Sequence, residues 1–188
     1  MQKEIWKPGT VLYPVPAAMV TVGDIDGEKN IITVAWTGTI NSDPAMTYIS
    51  VRPERYSYEM LKNNREFVIN LTTKDLVKAC DFCGVKSGRD IDKFEACALT
   101  AQKATKVRAP ILAESPVNIE CQVMDILPLG SHHMFLAKVV AVDGTSDYLD
   151  ENGKFHFNDT IPICYSHGEY YAIGEKLGKF GYSIRKKH

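Results

Sequence analysis

The run Arg52-Pro-Glu-Arg-Tyr-Ser-Tyr58 contains the groups that a protein needs to bind a phosphate. A phosphate site requires a guanidinium, hydroxyls and free backbone N–H groups. Arg52 ends a predicted strand, and Ser57 lies near the start of a predicted helix, whose unpaired N–H groups attract anions. The same run could instead form an ordinary strand-to-helix corner with a solvated arginine.

Two common nucleotide-binding motifs are missing from the chain. It contains neither the GxxxxGK loop of P-loop proteins nor a GxGxxG that follows a strand. It also has no nucleophile elbow and no paired carboxylates that spacing could identify as a catalytic pair. Such a chain suits cofactor chemistry, in which the cofactor transfers the hydride or electrons and the protein binds it and sets its potential.

The segment Gly84-Val-Lys-Ser-Gly-Arg-Asp-Ile-Asp-Lys-Phe94 could complete an anion site. Ser87 offers a hydroxyl, and Gly88 allows the backbone to approach a ligand closely. Lys93 could neutralise a bound anion, or it could be a surface lysine paired with a neighbouring aspartate.

The cysteines indicate free thiols. There are five, an odd number, in a chain whose first residues do not resemble an export signal. Cys80 and Cys83 form a C-x-x-C, which could be a redox pair or half of a metal site, but no second C-x-x-C completes a four-thiolate site. Because the pair lies at the end of a predicted helix, we interpret it as two buried residues on one helix face, and we predict no metal.

Composition and charge limit the class of protein. The 188 residues are 45% hydrophobic and 24% charged, as in globular proteins, and the net charge of -1 argues against nucleic-acid binding through a basic patch. The basic run Arg185-Lys186-Lys187 is predicted to be a solvated tail. No stretch approaches the roughly 20 apolar residues of a membrane span. We therefore expect one domain over residues 1–188, cytoplasmic, with no membrane or nucleic-acid partner.

Most periodic segments have the pattern of β-strands. The predicted strands are residues 17–23, 30–36, 47–52, 67–71, 117–127 and 134–142. The first two should form a hairpin. Residues 117–127 alternate, which predicts one face in the core and the other at water or a partner, whereas residues 134–142 are predicted to be buried on both faces.

Helical signals are fewer. We predict helices over residues 56–63 and 73–83, with Gly84 in the left-handed position that ends the second, and a short turn of helix over residues 90–95. Strands and helices do not alternate regularly, so we predict a mainly β protein, an antiparallel barrel with a few peripheral helices.

Four segments of the chain, in this order, resemble the flavin reductase-like family. They are Asn30–Gly38, Ser42–Pro44 with the strand that reaches Arg52, Gly84–Phe94 and Gly130–Phe135, and the resemblance extends over about residues 12–180. It implies an FMN-binding split β-barrel of Greek-key type that forms a homodimer, with non-covalent FMN as cofactor.

The resemblance also implies roles for single residues. Arg52 and Ser57, with Tyr56, would hold the FMN phosphate, and Lys93 would neutralise either that phosphate or a reduced flavin N1. The implied cofactor-binding residues are Asn30, Thr33, Ala35, Trp36, Thr37, Gly38, Ser50, Val51, Arg52, Tyr56, Ser57, Ser87, Gly88 and Lys93. Two alternatives stay open, since Trp36 could be a core residue and Asn30 a turn residue.

His132 is the predicted catalytic residue. It lies in Gly130-Ser131-His132, where the family has a Gly-x-His beside the open face of the flavin. A one-residue change of strand register would exchange it for His133, and a structural role for either is the alternative. The implied function is an NAD(P)H-dependent flavin or ferric-type reductase that passes electrons to a small-molecule or protein acceptor. The alternatives are a flavoprotein electron carrier and a binding module on the same barrel without flavin.

Overall fold

In the computed structural model, which describes residues 1–184, the main element is a seven-stranded antiparallel sheet. Its strands are β2 (Ala18–Gly23), β3 (Lys29–Val34), β4 (Thr37–Ser42), β5 (Ala45–Val51), β6 (Glu66–Leu71), β9 (Val117–Pro128) and β10 (His133–Gly144). They are ordered β3-β2-β6-β9-β10-β5-β4. This confirms the predicted mainly β, antiparallel fold and the hairpin of β2 and β3.

The sheet closes on itself because its two edge strands are neighbours in the chain. β3 and β4 lie at opposite ends of the strand order, yet only Ala35 and Trp36 connect them. The Ser50 N–H of β5 donates to the Trp36 carbonyl at 2.9 Å, which continues the β4–β5 pairing up to the connection between the two edges. The sheet therefore curls into a barrel that is split at Ala35 and Trp36.

Two small sheets and three helices lie around the barrel. The small sheets are formed by β1 (Val15–Pro16) with β11 (Ile163–Ser166) and β12 (Glu169–Ala172), and by β7 (Ala101–Gln102) with β8 (Ile111–Leu112). The helices are α1 (Ser57–Asn64), α2 (Val77–Val85) and α3 (Lys93–Ala96). Single 3₁₀ turns occur at Lys74–Leu76, Ser146–Tyr148, Phe157–Thr160 and Tyr182–Ile184.

The barrel core is filled by alternate residues of its strands. Val20, Ile49, Phe67 and Phe135 are buried there, and α1 adds Leu61, which is also fully buried. A second apolar cluster lies between α2, α3 and the outer face of β2 and β3. The helices are thus fixed against β3, the strand that leads into the split.

The predicted helices are present, but Gly84 does not end α2 in a left-handed conformation. It lies inside the helix, and it is not one of the five glycines with a positive φ among the described residues. A Cβ at Gly84 would lie 3.2 Å from Cβ of Thr33, so the glycine allows α2 to pack closely on β3. The close packing of α2 on β3, rather than a left-handed helix end, therefore explains why a glycine stands at position 84.

Two predictions about strand faces are wrong in the single chain. Residues 134–142 are not buried on both faces, because Lys138 and Val142 are exposed. The polar face of β9 does not meet water at Asn118 and Glu120, which are buried. Glu120 accepts hydrogen bonds from three backbone N–H groups of residues 105–107, which cover this part of the sheet.

The predicted solvated tail at Arg185-Lys186-Lys187 lies outside the described residues. Over residues 1–184, no helix has both the length and the apolar character that a membrane crossing requires.

Candidate functional site

A cleft of about 470 Å³ opens where β5 turns into α1. Arg52 follows the last residue of β5, and the Arg55 N–H donates to the Arg52 carbonyl at 3.1 Å to form the turn. The cleft is lined by Asn30, Ile32, Arg52, Glu54, Arg55, Tyr56, Ser57, Cys83, Lys86, Ser87, Gly88, Arg89 and Lys93. Seven of the predicted site residues, from three separate chain segments, therefore lie around one cleft, which we call the first cleft.

Asn30 joins the strand side of the first cleft to the helix side. Its Nδ2 donates to Oγ of Ser57, the first residue of α1, at 2.8 Å. Both side chains are buried, with exposed fractions of 4% and 1%. Asn30 lies within β3 and not in a turn, so the alternative interpretation of Asn30 as a turn residue is wrong.

Lys93 places a buried ammonium beside the first cleft. Its side chain is 4% exposed, and Nζ donates to the carbonyls of Ile31 at 2.7 Å and Cys83 at 2.8 Å. Burial lowers its pKa below the ordinary lysine value. The interpretation as a surface lysine paired with an aspartate is therefore wrong. Two of the three N–H donors bind carbonyls, which leaves one for a ligand.

Asp92 explains why a helix begins at Lys93. Its side chain accepts from the backbone N–H groups of Phe94 at 2.8 Å and Glu95 at 3.2 Å, as an N-cap does. Phe94 is buried in the second cluster. The capped turn thereby fixes Lys93 against β3 and α2.

A tight turn at Ser87 and Gly88 forms another part of the lining of the first cleft. The Arg89 N–H donates to Ser87 Oγ at 3.2 Å, and the Arg89 guanidinium donates to the Glu54 carbonyl at 3.2 Å. The Arg89 guanidinium also lies 5.4 Å from the centre of the Tyr56 ring, within range of a cation–π interaction. The Tyr56 hydroxyl in turn donates to Glu28. These contacts orient Tyr56 and Arg89 at the edge of the first cleft.

The first cleft is strongly cationic. It contains five cationic side chains, Arg52, Arg55, Lys86, Arg89 and Lys93, and one carboxylate, Glu54. The Arg52–Glu54 pair is 3.5 Å apart with both side chains more than half exposed, so it neutralises little of this charge. The cleft is therefore suited to a ligand group with multiple negative charges.

A second region of about 150 Å³ adjoins the first cleft at the split of the barrel, and we call it the ring cleft. The two share Ile32, Arg52 and Arg55. The ring cleft is lined by Ile32, Thr33, Val34, Ala35, Trp36, Ser50, Val51, Arg52, Arg55 and His132. Its volume is below the roughly 300–1,000 Å³ of a closed small-molecule pocket. A ring bound there would therefore be only partly enclosed by this chain.

The two neighbouring histidines have different surroundings. His132 lines the ring cleft, in the turn that precedes β10. His133 instead packs against Tyr58, whose hydroxyl lies 2.7 Å from His133 Nδ1. Burial, and then the positive charge of Arg52, lower the pKa of His132 below its ordinary value. His132 is therefore uncharged at neutral pH.

Not every predicted site residue reaches the two clefts. Thr37 and Gly38 lie in β4 and line neither one, and the Thr37 hydroxyl donates to the Tyr48 carbonyl at 2.6 Å. Trp36 does line the ring cleft and is only partly buried, which excludes the core alternative.

Sequence reasoning missed three cations of the first cleft. Arg55, Lys86 and Arg89 each lie within three residues of a predicted site residue. Proximity in sequence to Arg52 and Gly88 was the available signal. Sequence proximity alone could not show that these three side chains line the first cleft, because that depends on how the turns fold.

The C-x-x-C residues are buried on one face of α2, as predicted. Cys80 and Cys83 are at most 1% exposed, and burial raises their pKa to about 11 and about 12. Thiols with such pKa values are protonated at neutral pH and react slowly. Within residues 1–184, no group of three or more His, Cys, Asp or Glu side chains could hold a metal ion.

Comparisons with known proteins agree in pointing to one family. A family model described as a flavin reductase like domain matches residues 10–174. The flavoredoxin of Desulfovibrio vulgaris (Miyazaki F) has a similar structure, with a TM-score of 0.88 and 28% sequence identity, over 98% of this chain and 100% of that one. An FMN-binding protein from Thermus thermophilus shares the fold, with a TM-score of 0.78 and 24% identity over 95% and 98% of the two chains. An uncharacterized protein of Pyrococcus abyssi is 29% identical over 167 residues, which are 89% of this chain and 95% of its own.

Proposed function

The chain belongs to the flavin reductase like family, and on that basis we propose that it binds FMN and acts as an NAD(P)H-dependent flavin or ferric-type reductase. The electrons would pass through bound FMN to a small-molecule or protein acceptor. The observation that carries the proposal is the pair of joined clefts at the split of the barrel, the strongly cationic first cleft and the smaller ring cleft beside residues 32–36.

The residues present fit the FMN phosphate. A phosphate monoester carries about −1.5 to −2 charges and three acceptor oxygens near neutral pH. The first cleft offers the guanidinium of Arg52, the hydroxyl of Ser57 at the start of α1 and the free donor of Lys93. Gly88 keeps the wall clear, since a Cβ there would lie 2.6 Å from Cδ1 of Tyr56. We assign the phosphate to this cleft.

The flavin ring is assigned to the ring cleft. Residues 33–36 line the ring cleft at the split, where β3 and β4 are the two unpaired edges of the sheet, so their backbone lies near the cleft. Backbone N–H and C=O groups are the partners that the polar edge of a flavin requires. When bound, FMN supplies the hydride and electron transfer of the proposed reaction.

His132 is the chain's own group at the open side of the ring cleft. Because it is neutral at neutral pH, one ring nitrogen can donate and the other can accept a hydrogen bond. We propose that it orients the nicotinamide of NAD(P)H over the ring cleft and that it excludes bulk water there. Arg52 and Arg55, which line both clefts, add positive charge where a second anionic nucleotide would approach.

A homodimer is part of the proposal. Residues 1–12 and 171–180 are exposed along their whole length and carry large apolar side chains such as Trp6, Leu12 and Phe180. Exposed apolar surface of this extent is typical of an interface. A second copy of the chain would cover these arms and bring further residues to the open side of the ring cleft.

A flavoredoxin-type electron carrier is the second candidate. It would hold FMN by the same residues but take electrons from a protein rather than from NAD(P)H. The similarity to the Desulfovibrio flavoredoxin over nearly the whole chain favours this candidate.

An absorbance spectrum tests the proposal and separates the two candidates. The purified protein, supplied with FMN and freed of excess, should retain flavin bands. Anaerobic addition of NADH, and then of NADPH, should bleach these bands within seconds if the chain is a reductase. Bands that persist until dithionite is added would support the carrier. Protein that retains no FMN would overturn both candidates.

A further inference from the structure

Three of the five cysteines lie together beside the first cleft. Cys80 and Cys83 are buried on one face of α2, and Cys97, the residue that follows α3, packs against the same apolar cluster. Cys83 lines the first cleft, whereas Cys97 lines a separate cleft of about 580 Å³ beside α2. The proposed binding of FMN assigns no role to any of these thiols.

The thiols of Cys83 and Cys97 are neighbours. Burial, and then the adjacent Cys97 thiol, raise the pKa of Cys83 to about 12, and a hydrogen bond between the two thiols contributes to this effect. The backbone contacts agree with this placement. Lys93 Nζ donates to the Cys83 carbonyl at 2.8 Å, and the Cys97 N–H donates to the Lys93 carbonyl at 3.2 Å. Lys93 therefore ties the end of α3 to the end of α2.

Of the three thiols, Cys97 is the one that a small oxidant can reach. Cys80 and Cys83 are at most 1% exposed, whereas Cys97 is half-buried. A reachable thiol beside a second, buried thiol is the arrangement in which a sulfenic acid forms on the first and is converted to a disulfide by the second. The C-x-x-C alone lacks a reachable member, so the pair that fits this chemistry is Cys97 with Cys83.

The end of α3 fixes the position of Cys97. The Leu99 N–H donates to the Phe94 carbonyl at 2.8 Å, and the Ala98 N–H donates to the Glu95 carbonyl at 3.1 Å, which together form a Schellman motif. Ala98 has a φ of 51°, a left-handed conformation that is uncommon for a residue other than glycine. Phe94 and Leu99 are buried in the second cluster, which holds this turn in place and keeps Cys97 against α2.

We propose that Cys97 and Cys83 are a modification site for hydrogen peroxide, at which the two thiols form a reversible disulfide. The inference goes beyond the proposed function and depends on it only for a local source of oxidant, because dioxygen that reaches a reduced flavin is converted to hydrogen peroxide.

Two displacement steps give the disulfide. The Cys97 sulfur displaces hydroxide from the peroxide and becomes a sulfenic acid, and the Cys97 thiol proton leaves with the hydroxide as water. The Cys83 sulfur then attacks the Cys97 sulfur, displaces its hydroxide and forms the S–S bond, and the Cys83 proton leaves in a second water. The two thiols together give two electrons, which reduce one peroxide to two waters. Cys83 alone reacts slowly, but the sulfenic acid beside it is a strong electrophile.

The test treats the full chain with hydrogen peroxide at about one equivalent per chain, so that the result does not depend on FMN. Mass spectrometry of the intact chain should show the loss of two hydrogen atoms, and dithiothreitol should restore the original mass. Trypsin cleaves at Lys86, Arg89 and Lys93, which lie between the two cysteines, so only a disulfide keeps Cys83 and Cys97 in one product.

Alanine variants identify the partner of Cys97. Cys80→Ala is the matched control for Cys83→Ala, because both residues are buried on the same face of α2. We expect the linked product in the unsubstituted chain and in Cys80→Ala, and none in Cys83→Ala or Cys97→Ala. In Cys83→Ala, Cys97 should gain oxygen atoms instead, since no thiol converts its sulfenic acid.

Three results would overturn the inference. They are a disulfide from Cys97 to Cys80 or Cys164, oxygen added to Cys97 of the unsubstituted chain without a disulfide, and Cys97 left unreacted. The product from the unsubstituted chain decides among these even if a variant does not fold. A chain that binds no FMN but forms the link would overturn the proposed function alone, so the two failures are distinguishable.

Discussion

The backbone of Gly88 and the side chain of Tyr56 are in direct contact at the edge of the first cleft. A Cβ built on Gly88 would lie 2.6 Å from Cδ1 of Tyr56, and it would also overlap the Asn30 amide. Real Cβ atoms essentially never approach other heavy atoms so closely. The glycine is therefore required by space, since its φ is not among the positive values.

Gly88→Ala should weaken FMN binding because the new methyl group must push Asn30 or Tyr56 away. A displaced Asn30 loses its hydrogen bond to Ser57. We expect a loss of about 1–3 kcal/mol, or roughly tenfold to 100-fold in dissociation constant, from overpacking. Fluorescence titration of flavin-free protein with FMN measures it.

Gly27→Ala is the matched control for this substitution. A Cβ at Gly27 would meet only Cβ of Asp24, at 3.6 Å, which is an ordinary contact. FMN binding should stay unchanged in this variant. Equal FMN affinity in Gly88→Ala and Gly27→Ala would remove the turn at Gly88 from the FMN site.

Lys93→Met should reduce both stability and FMN affinity. The substitution leaves the carbonyls of Ile31 and Cys83 without their donor, and hydrogen bonds to a charged group contribute about 1.5–3 kcal/mol each. Loss of the ammonium also removes a cation from the first cleft. Urea unfolding of the flavin-free protein isolates the stability effect from the binding effect.

Lys78→Met serves as the control, because Lys78 is exposed on α2 and lines neither the first cleft nor the ring cleft. Its free energy of unfolding should change by less than about 0.5 kcal/mol. If Lys93→Met unfolds like Lys78→Met, the buried ammonium contributes nothing to the fold.

His132→Ala should slow reduction by NAD(P)H while FMN stays bound. Loss of one hydrogen bond at the ring cleft should lower the rate by about tenfold, which corresponds to about 1.4 kcal/mol. His133→Ala should instead lower stability, because His133 packs on Tyr58. Stopped-flow reduction and urea unfolding of both variants would separate the two roles. A normal reduction rate in His132→Ala would make His132 a structural residue.

The same histidine gives the reduction rate a pH dependence. Because burial and Arg52 lower the pKa of His132, the side chain charges only when the pH falls below its ordinary value of 6.5. The rate in the unsubstituted chain should be constant above about pH 6.5 and change in acid. In His132→Ala the rate should be constant through this range.

Much of the fold was predictable because a barrel repeats a simple pattern. Alternation of apolar residues located β5, and hairpin turns fixed the pairing of β2 with β3. Which face of each strand is buried was harder to predict. Val142 is as apolar as a buried residue yet exposed, and Glu120 is buried although it is charged, since burial depends on what a distant loop covers.

The site was predictable only as far as resemblance reached. The resemblance identified Arg52, Ser57 and Gly88, which the fold brings to one cleft. Composition and spacing could not show that Thr37 bonds to Tyr48 instead of facing the cleft. They also could not show that Arg89 stacks on Tyr56, because that contact joins residues 33 positions apart. Contacts of this kind depend on how distant segments pack together, and a single sequence does not show that packing.

The fully buried Glu120 of β9 and the half-buried Asp143 of β10 are neighbouring carboxyl groups. Glu120 is fully buried and accepts three backbone N–H groups, which lower its pKa although burial opposes them. Asp143 Oδ2 is buried and has no donor among the described residues. Burial and the neighbouring Glu120 raise the pKa of Asp143. A protonated Asp143 would donate to Glu120, so the pair is stable with one shared proton.

The raised pKa of Asp143 fixes the direction of the pH effect. The folded state binds this proton more tightly than the unfolded state, so the stabilisation is complete below the ordinary pKa of 3.8 and is lost as pH rises through the raised value. Asp143→Asn donates to Glu120 at every pH. We expect it to stabilise the chain by about 1 kcal/mol at pH 7 and to lose this advantage near pH 4.

Glu120→Gln should have the opposite effect, because it replaces the charged acceptor of three backbone N–H groups. We expect it to lower the free energy of unfolding by about 2 kcal/mol or more at pH 7. Urea unfolding between pH 4 and pH 8 measures both variants, with the exposed Glu151→Gln as the control. If Asp143→Asn is no more stabilising at pH 7 than near pH 4, the two carboxyl groups do not repel each other at pH 7, and the account of a shared proton is wrong.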